Sequence, residues 1–97
     1  MQYGKPDKNQ SKIVDALRKV GCTVFITSGV GMGFPDLVVG RGGSNYLLEV
    51  KTAKGELKES QEEFFALWNG QVQVVRTPEE ALEAVGFWVD VEAQDES

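Results

Sequence analysis

The stretch from residue 36 to residue 51, DLVVGRGGSNYLLEVK, restricts the fold more than any other part of the chain. Two short apolar runs, DLVVG and YLLEVK, have the length of β-strands, and the link RGGSN between them holds two adjacent glycines. Glycine accepts the positive φ angles that tight hairpin turns require. If the hairpin turns around Gly43, residues whose numbers sum to about 85 or 86 face each other, which places Asp36 opposite or next to opposite Glu49.

This pairing brings charged side chains together where a core residue would be expected. Directly opposed residues in an antiparallel pair have Cβ atoms roughly 4.5–5.5 Å apart. Two carboxylates at that separation repel each other and lose hydration, and a divalent cation between them removes the conflict. The chain contains no histidine. Oxygen ligands without histidine or thiolate suit Mg²⁺ or Mn²⁺, so Asp36 and Glu49 are predicted metal ligands.

Lys51 extends the same pattern. Side-chain direction repeats every second residue along a strand, so Lys51 projects from the same face as Glu49. A metal held by two carboxylates, with a lysine beside it, favours phosphodiester hydrolysis, in which the lysine orients the nucleophile or stabilises transition-state charge. The alternative is an ordinary salt bridge between Lys51 and Glu49 on an exposed strand, with Asp36 only ending the preceding turn.

Hydrophobic periodicity predicts the remaining elements. NQSKIVDALRKVG indicates a first helix with Asn9 as N-cap and Gly21 at its end, and CTVFIT indicates a strand. SGVGMG is a glycine-rich loop where the backbone can approach a ligand closely. KESQEEFFALWN is typical of a second helix, VQVV of a fourth strand, and TPEEALEAV of a helix with Thr77 as N-cap and Pro78 at its first position. The predicted order is α-β-β-β-α-β-α.

Composition limits the classes of protein that remain. The 97 residues, 41% hydrophobic and 26% charged, predict one globular domain over residues 1–97, with a core over about 8–84 and an acidic tail over 90–97. No stretch resembles a signal peptide or a membrane span, so we expect a cytosolic protein with no membrane partner. The single cysteine, Cys22, cannot form an intramolecular disulfide and is expected in the core.

Charge is unevenly distributed along the chain. Residues 1–58 carry a net charge of +4, and residues 59–97 carry −9. Recognition of a polyanion depends on the local field more than on total charge, so the first half can still bind nucleic acid. The alternative is that these basic residues only solvate a helix surface.

At this point the sequence resembles a known family. PD at 35–36, a short hairpin and EVK at 49–51 resemble the PD-(D/E)xK nuclease signature. The stretches GFPDLVVG, YLLEVKTAKGELKESQEEF and GQVQVVRTPEEAL resemble the VRR-NUC branch, the virus-type replication-repair nucleases, over roughly residues 8–84. The resemblance implies an α/β fold with a restriction-endonuclease-like core, α-β-β-β-α-β, a mixed four-stranded central sheet and a C-terminal helix.

The resemblance also implies roles for individual residues. Asp36 and Glu49 would bind the metal together with the backbone carbonyl of Val50, and Lys51 would be the catalytic lysine. Gln61 lies where this branch has a helix glutamine that orients water or phosphate; its alternative is a solvent-facing polar position.

The chain departs from the family near the start of the first helix. Many relatives have a glutamate there that completes the acidic site, whereas this chain reads DKNQSK. Gln10 could contact a metal only through water, which puts a second metal position in doubt.

The expected function is therefore a metal-dependent DNA endonuclease using Mg²⁺ or Mn²⁺. The resemblance implies action on branched or Holliday-junction-like DNA in replication, recombination or repair, as a homodimer in a bacterial or phage-infected cytosol. The exposed apolar candidates for a dimer interface are Phe65, Trp68, Phe87 and Trp88, and the alternative for Trp68, Phe87 and Trp88 is packing in the core. The predicted contacts to the DNA backbone are Lys8, Lys12, Lys54 and Lys58. The alternative is a DNA-binding module with a nuclease-like fold that does not cleave.

Overall fold

The computed structural model describes residues 7–87, which form three helices and four strands. The elements in chain order are α1 (Lys8–Lys19), β1 (Thr23–Ile26), β2 (Leu37–Arg41), β3 (Ser44–Val50), α2 (Glu59–Leu67), β4 (Gln73–Val75) and α3 (Pro78–Ala84). This is the predicted order. No helix in this part of the chain is long and apolar enough to cross a membrane.

The four strands form one mixed sheet in the order β1-β2-β3-β4. The first two pairings are antiparallel, and β4 runs parallel to β3. The hairpin turn is shorter than the predicted five-residue link: only Gly42 and Gly43 lie between the strands, with φ angles of 56° and 84°. Leu37 pairs with Leu48, so Asp36 and Glu49 follow as the next opposed residues, and of the two predicted registers the structure has the one with the number sum of 85.

One face of the sheet carries the hydrophobic core. The helices α1 and α3 pack against this face and against each other. Because side chains alternate along a strand, Leu48 and Val50 of β3 point into this core, whereas Glu49 points to the opposite face. Cys22 is buried in the core, as expected. The other buried core residues are Ile13, Val14, Leu17, Val24, Leu37, Val39, Val75, Ala81 and Val85.

The first helix begins differently from the prediction. Its N-cap is Asp7, whose Oδ1 accepts hydrogen bonds from the backbone N–H groups of Asn9 and Gln10, at 2.9 and 3.3 Å. The expected Asn9 cap is wrong because Asp7 stands in extended conformation just before the helix and satisfies these free N–H groups. At α3 the prediction is confirmed, since Thr77 caps the helix and Pro78 opens it.

The helix α2 lies on the face opposite the core and has no fully buried residue. Phe64 contacts Phe34 edge to face and stacks on Trp68, with ring centroids 5.5 and 5.0 Å apart, while Leu67 is 84% exposed. The glycine-rich loop makes its close approach here, since a Cβ on Gly33 would lie 2.1 Å from the carbonyl oxygen of Ser60. At Gly33 the close approach of the backbone is therefore to the first turn of α2, whereas Gly31 of the same loop has no such neighbour.

Candidate metal-binding and catalytic site

The three charged residues of the opening motif meet at one end of the hairpin. Asp36 directly precedes β2, Glu49 lies within β3, and Lys51 follows the last residue of β3. Glu49 is only 1% exposed, and the Lys51 side chain is 13% exposed. The alternative from the sequence was a salt bridge on an exposed strand. The ion pair between Lys51 and Glu49 is present but largely buried, so the exposed setting is wrong.

The carboxylate of Glu49 uses its two oxygens unequally. Its Oε2 lies 3.5 Å from Nζ of Lys51 and accepts a hydrogen bond of 2.9 Å from Nε2 of Gln61. Its Oε1 is buried and has no hydrogen-bond partner among the residues that the structure describes. A buried carboxylate oxygen without a partner is unfavourable, so this atom needs a proton or a cation.

The pKa of Glu49 reflects the same conflict. Burial is the first cause that raises this pKa, and the adjacent Asp36 carboxyl raises it further, so that it reaches about 7 despite the opposing charge of Lys51. In the folded protein, Glu49 is therefore divided between its neutral and charged forms at a pH of about 7. A divalent cation that binds both carboxylates would offset the repulsion and the desolvation together.

Asp36 is fixed by the strands on either side of it. Its Oδ2 accepts a hydrogen bond of 2.9 Å from the backbone N–H of Val50, which joins the start of β2 to the end of β3. Its carbonyl oxygen accepts a hydrogen bond from the backbone N–H of Thr27 at 2.7 Å, and the Thr27 hydroxyl donates to the carbonyl of Pro35. The Pro-Asp dipeptide is thus held against both neighbouring strands.

Gln61 is drawn into the site from α2. Its Oε1 accepts a hydrogen bond of 2.8 Å from the backbone N–H of Lys58, and its Nε2 donates to Glu49. The first bond satisfies a free N–H group at the helix start and fixes which end of the amide faces Glu49. Gln61 therefore faces the acidic cluster, and the solvent-facing alternative does not apply.

The two other predicted ligands, Val50 and Gln10, each have a hydrogen-bond partner of their own. The Val50 residue is buried and its N–H is bound to Asp36. The Oε1 atom of Gln10 accepts a hydrogen bond of 3.3 Å from the Ser28 hydroxyl. Within residues 7–87 no group of three or more His, Cys, Asp or Glu side chains could hold a metal ion, so Asp36 and Glu49 form a pair without a third acid. As a set of hard oxygen donors with one buried oxygen lacking a partner, the pair fits Mg²⁺ or Mn²⁺.

The four lysines predicted to contact DNA are all exposed. Two of them lie in the first turns of α1, one in the turn that follows Lys51, and one at the N-cap of α2. The start of α1 is joined to Lys51 through Asn9, and the first turn of α2 is joined to Glu49 through Gln61. The four lysines are Lys8, Lys12, Lys54 and Lys58. The helix α2 itself carries the acids Glu59, Glu62 and Glu63.

Two residues near the site had no predicted role there. Asn9, interpreted as a helix cap, extends its side chain to the backbone at the ends of β3 and β4. Arg76, which follows β4, contacts the backbone of residues 52–55. The only sequence signal was the position of Arg76 directly after a predicted strand, which does not identify its partners.

Comparison with known proteins supports the fold. No family model matches the sequence, and no curated protein matches it. A solved structure titled "VRR_NUC domain" matches with a TM-score of 0.62 and 22% sequence identity, covering 84% of this chain and 95% of that chain. The predicted VRR-NUC fold, with its mixed four-stranded sheet and flanking helices, is confirmed.

Proposed function

We propose that the protein is a metal-dependent DNA endonuclease. The observation that carries this proposal is the buried oxygen of Glu49 that lacks a partner, beside Asp36, Lys51 and Gln61. Two opposed carboxylates repel each other, and the burial of Glu49 also opposes folding, so stability alone does not account for this pair. The likeness to a VRR_NUC domain structure agrees with this assignment.

The side chains that would hold the ion are Asp36 and Glu49, with the backbone carbonyl of Val50 as a further ligand. A bound Mg²⁺ or Mn²⁺ supplies Lewis-acid polarisation of the phosphate and lowers the pKa of bound water. The chain supplies the rest. Lys51 holds an ammonium group beside Glu49, where it orients a nucleophilic water or stabilises negative charge on the phosphate in the transition state.

Gln61 supports the acidic pair without adding charge. By donating to Oε2 of Glu49 it favours the carboxylate form and leaves Oε1 for the cation. With two carboxylates and no third acid in the described part of the chain, the site suits one tightly held ion. Gln10 would take part only through a water molecule.

DNA would approach across the four exposed lysines. Contacts from Lys8, Lys12, Lys54 and Lys58 to phosphates give affinity without reading sequence. The acids of α2 oppose the approach of phosphate along that helix, so the proposed DNA path runs over the start of α1 and the segment from Lys51 to Lys58. Recognition by DNA shape follows, with branched or Holliday-junction-like DNA as the proposed substrate.

A homodimer would extend this small surface and present two active sites to two strands. Exposed apolar side chains next to α2 support the idea, since Met32 is 93% and Leu67 84% exposed. Of the predicted interface residues, Trp68 is 42% exposed, Phe65 and Phe87 are partly buried, and Trp88 lies outside the described residues. We place the enzyme in the cytosol of bacterial or phage-infected cells, where its buried free Cys22 stays reduced.

The test is cleavage of a supercoiled plasmid and of a synthetic four-way junction at low salt, with Mg²⁺, Mn²⁺ or EDTA. The wild type is compared with Lys51→Ala and with Lys19→Ala, a control at an exposed lysine at the far end of α1. We expect metal-dependent products from the wild type and from the control, and none from Lys51→Ala. Full activity of Lys51→Ala would refute the mechanism.

A second function is favoured by one observation, the absence of a third acid in the described part of the site. A nuclease-like module that binds DNA without cutting would need only the lysines and the fold. It predicts retention of DNA in a gel-shift assay with no products in any divalent metal, and metal-dependent products would exclude it.

A further inference from the structure

We propose that Asn9 and Arg76 are positioning residues that fix the backbone of Lys51 and of the turn after it, and that cleavage depends on them through Lys51. This inference rests on the proposed nuclease function. It concerns two side chains whose hydrogen bonds go to backbone carbonyls: those of Asn9 to Lys51 and Arg76, and those of Arg76 to the turn that follows Lys51.

Asn9 reaches from the first turn of α1 to the point where two strands end. Its Nδ2 donates to the carbonyl of Lys51 at 2.8 Å and to the carbonyl of Arg76 at 3.2 Å. The side-chain amide thus joins the residues that directly follow β3 and β4. Because its own N–H is bound to the Asp7 carboxylate, Asn9 is itself fixed at the start of the helix.

The backbone of Lys51 is held on both sides by these contacts. Its N–H donates to the carbonyl of Val75 at 3.1 Å, one step beyond the last strand pair, Val50 with Val75. Its carbonyl has Asn9 as the donor. With the bond from Asn9, the hydrogen bonding of the backbone therefore extends one residue beyond the end of β3, to Lys51.

Arg76 fixes the segment that comes next. Its Nη1 donates to the carbonyls of Thr52 and Gly55, at 2.5 and 2.7 Å, with a longer contact to Ala53. Its backbone N–H donates to Oε1 of Glu80 at 2.8 Å, which ties Arg76 to α3. A single guanidinium nitrogen, Nη1 of Arg76, thus binds several carbonyls of the turn that leads from Lys51 towards α2.

This segment needs such contacts because it has few of its own. Residues 52–54 are exposed, and the one backbone hydrogen bond found within the turn joins Gly55 to Thr52, at 3.1 Å. The same turn leads to Lys58 and Gln61, so its path also sets the distance of Gln61 from Glu49. A displacement of about 1 Å in a catalytic group can reduce turnover by two orders of magnitude.

The variant that isolates this role is Asn9→Asp. It keeps the size of the side chain but replaces the donor with a carboxylate oxygen that faces two carbonyl oxygens. The carboxylate is favourable near a helix N-terminus, so α1 should keep its stability. The control is Asn69→Asp, which makes the same chemical change at an exposed position after α2. Arg76→Met removes the donors and keeps an apolar stem, and Arg76→Lys restores the charge with a single nitrogen.

The measurements are steady-state cleavage of DNA and amide hydrogen exchange followed by NMR. For Asn9→Asp we expect kcat to fall about tenfold or more with KM changed less than about twofold. Exchange at the Lys51 and Gly55 amides should accelerate, while exchange at Val39 in the core stays unchanged. Arg76→Met should reduce kcat in the same way, with partial recovery in Arg76→Lys, and Asn69→Asp should match the wild type.

The outcomes separate this proposal from the proposed function. An active wild type whose Asn9→Asp variant keeps its kcat, or keeps slow exchange at Lys51, would refute the positioning role alone. A loss of kcat accompanied by faster exchange at Val39 would also refute it, because the effect would then be general unfolding. A wild type that cleaves no DNA with any divalent cation would refute the nuclease itself and with it the positioning role.

Discussion

The two faces of β3 show how one strand serves two opposed demands. Leu48 points to the core beneath α1 and α3 and is 0% exposed, while its neighbour Glu49 points to the other face and is 1% exposed. Burial of Leu48 removes apolar surface from water and stabilises the fold. Burial of Glu49 raises its pKa to about 7 and leaves one oxygen without a partner. The face with Leu48 stabilises the fold, whereas the face with Glu49 holds charged side chains that do not stabilise it.

The helices on the two faces differ in the same sense. The inner side of α1 carries fully buried apolar residues, whereas α2 has none and leaves Leu67 exposed. The free energy that holds the acidic pair in place therefore comes from the core face. Substitutions of core side chains should change stability, and substitutions of the polar side chains around Asp36 and Glu49 should change pH dependence, metal binding and turnover.

The largest effect on stability is expected from Leu48→Ala. Removing a fully buried leucine should lower the free energy of unfolding by about 2–5 kcal/mol, through lost burial and the cavity left behind. Urea denaturation measures the change. Leu67→Ala is the control, and because this side chain is 84% exposed, its effect should stay within about 0.5 kcal/mol. Equal losses in the two variants would contradict the assignment of the core to one face.

A second effect concerns the contact between the glycine-rich loop and α2. Gly33 has a φ of 79°, and a Cβ there would lie 2.1 Å from the Ser60 carbonyl oxygen. We expect Gly33→Ala to destabilise the fold by about 2–4 kcal/mol, from backbone strain and overpacking combined. Gly42→Ala shares the positive φ but has no atom within 4 Å, so it should cost only about 1–2 kcal/mol.

The third effect is a pH dependence in EDTA. The pKa of Glu49 is raised from 4.5 to about 7 in the fold, so the folded state binds more protons than the unfolded state between these values. Its contribution to stability is complete below pH 4.5 and is lost as pH rises through about 7. The loss is at most roughly 3 kcal/mol. Urea denaturation of the wild type and of Glu49→Gln across this range measures it, and equal pH profiles would contradict the assigned cause.

The smallest effect is expected from Gln61→Met, which keeps side-chain length and removes the donor to Glu49. One hydrogen bond to a charged carboxylate corresponds to about 1.5–3 kcal/mol, so cleavage should slow about tenfold or more. Gel-based cleavage rates measure the change. Glu63→Gln, at an exposed position on the same helix, is the control. An unaltered rate in Gln61→Met would remove Gln61 from the site.

Local sequence patterns were sufficient to predict the order of the helices and strands, whereas the mixed four-stranded sheet was implied by the family resemblance. The glycine pair limited the hairpin to two neighbouring registers, with Asp36 opposite or next to opposite Glu49, and the structure has the one whose paired residue numbers sum to 85. Thr77 and Pro78 similarly defined the start of α3. These features depend on neighbours in the sequence, which is why they could be predicted.

Contacts between distant segments could not be predicted in the same way. Asn9 and Asp7 are both good helix caps, and only the structure shows that Asp7 takes this place while Asn9 binds carbonyls 42 and 67 residues away. The side-chain spacing of α2 gave no sign that Leu67 would be 84% exposed, because exposure depends on which distant segments pack against the helix. The position of Gln61 was suggested by the family resemblance, and its two hydrogen bonds emerged from the fold.

The central claim is that the site face holds Asp36 and Glu49 together in order to bind a divalent cation. Thermal unfolding of the wild type and of Glu49→Gln, in EDTA and in increasing Mn²⁺ or Mg²⁺ at pH 7.5, tests it most directly. The account predicts that the cation raises the Tm of the wild type, by the equivalent of about 2.7 kcal/mol at a hundredfold excess over Kd, and leaves Glu49→Gln unchanged. No shift in the wild type, or an equal shift in both proteins, would contradict it.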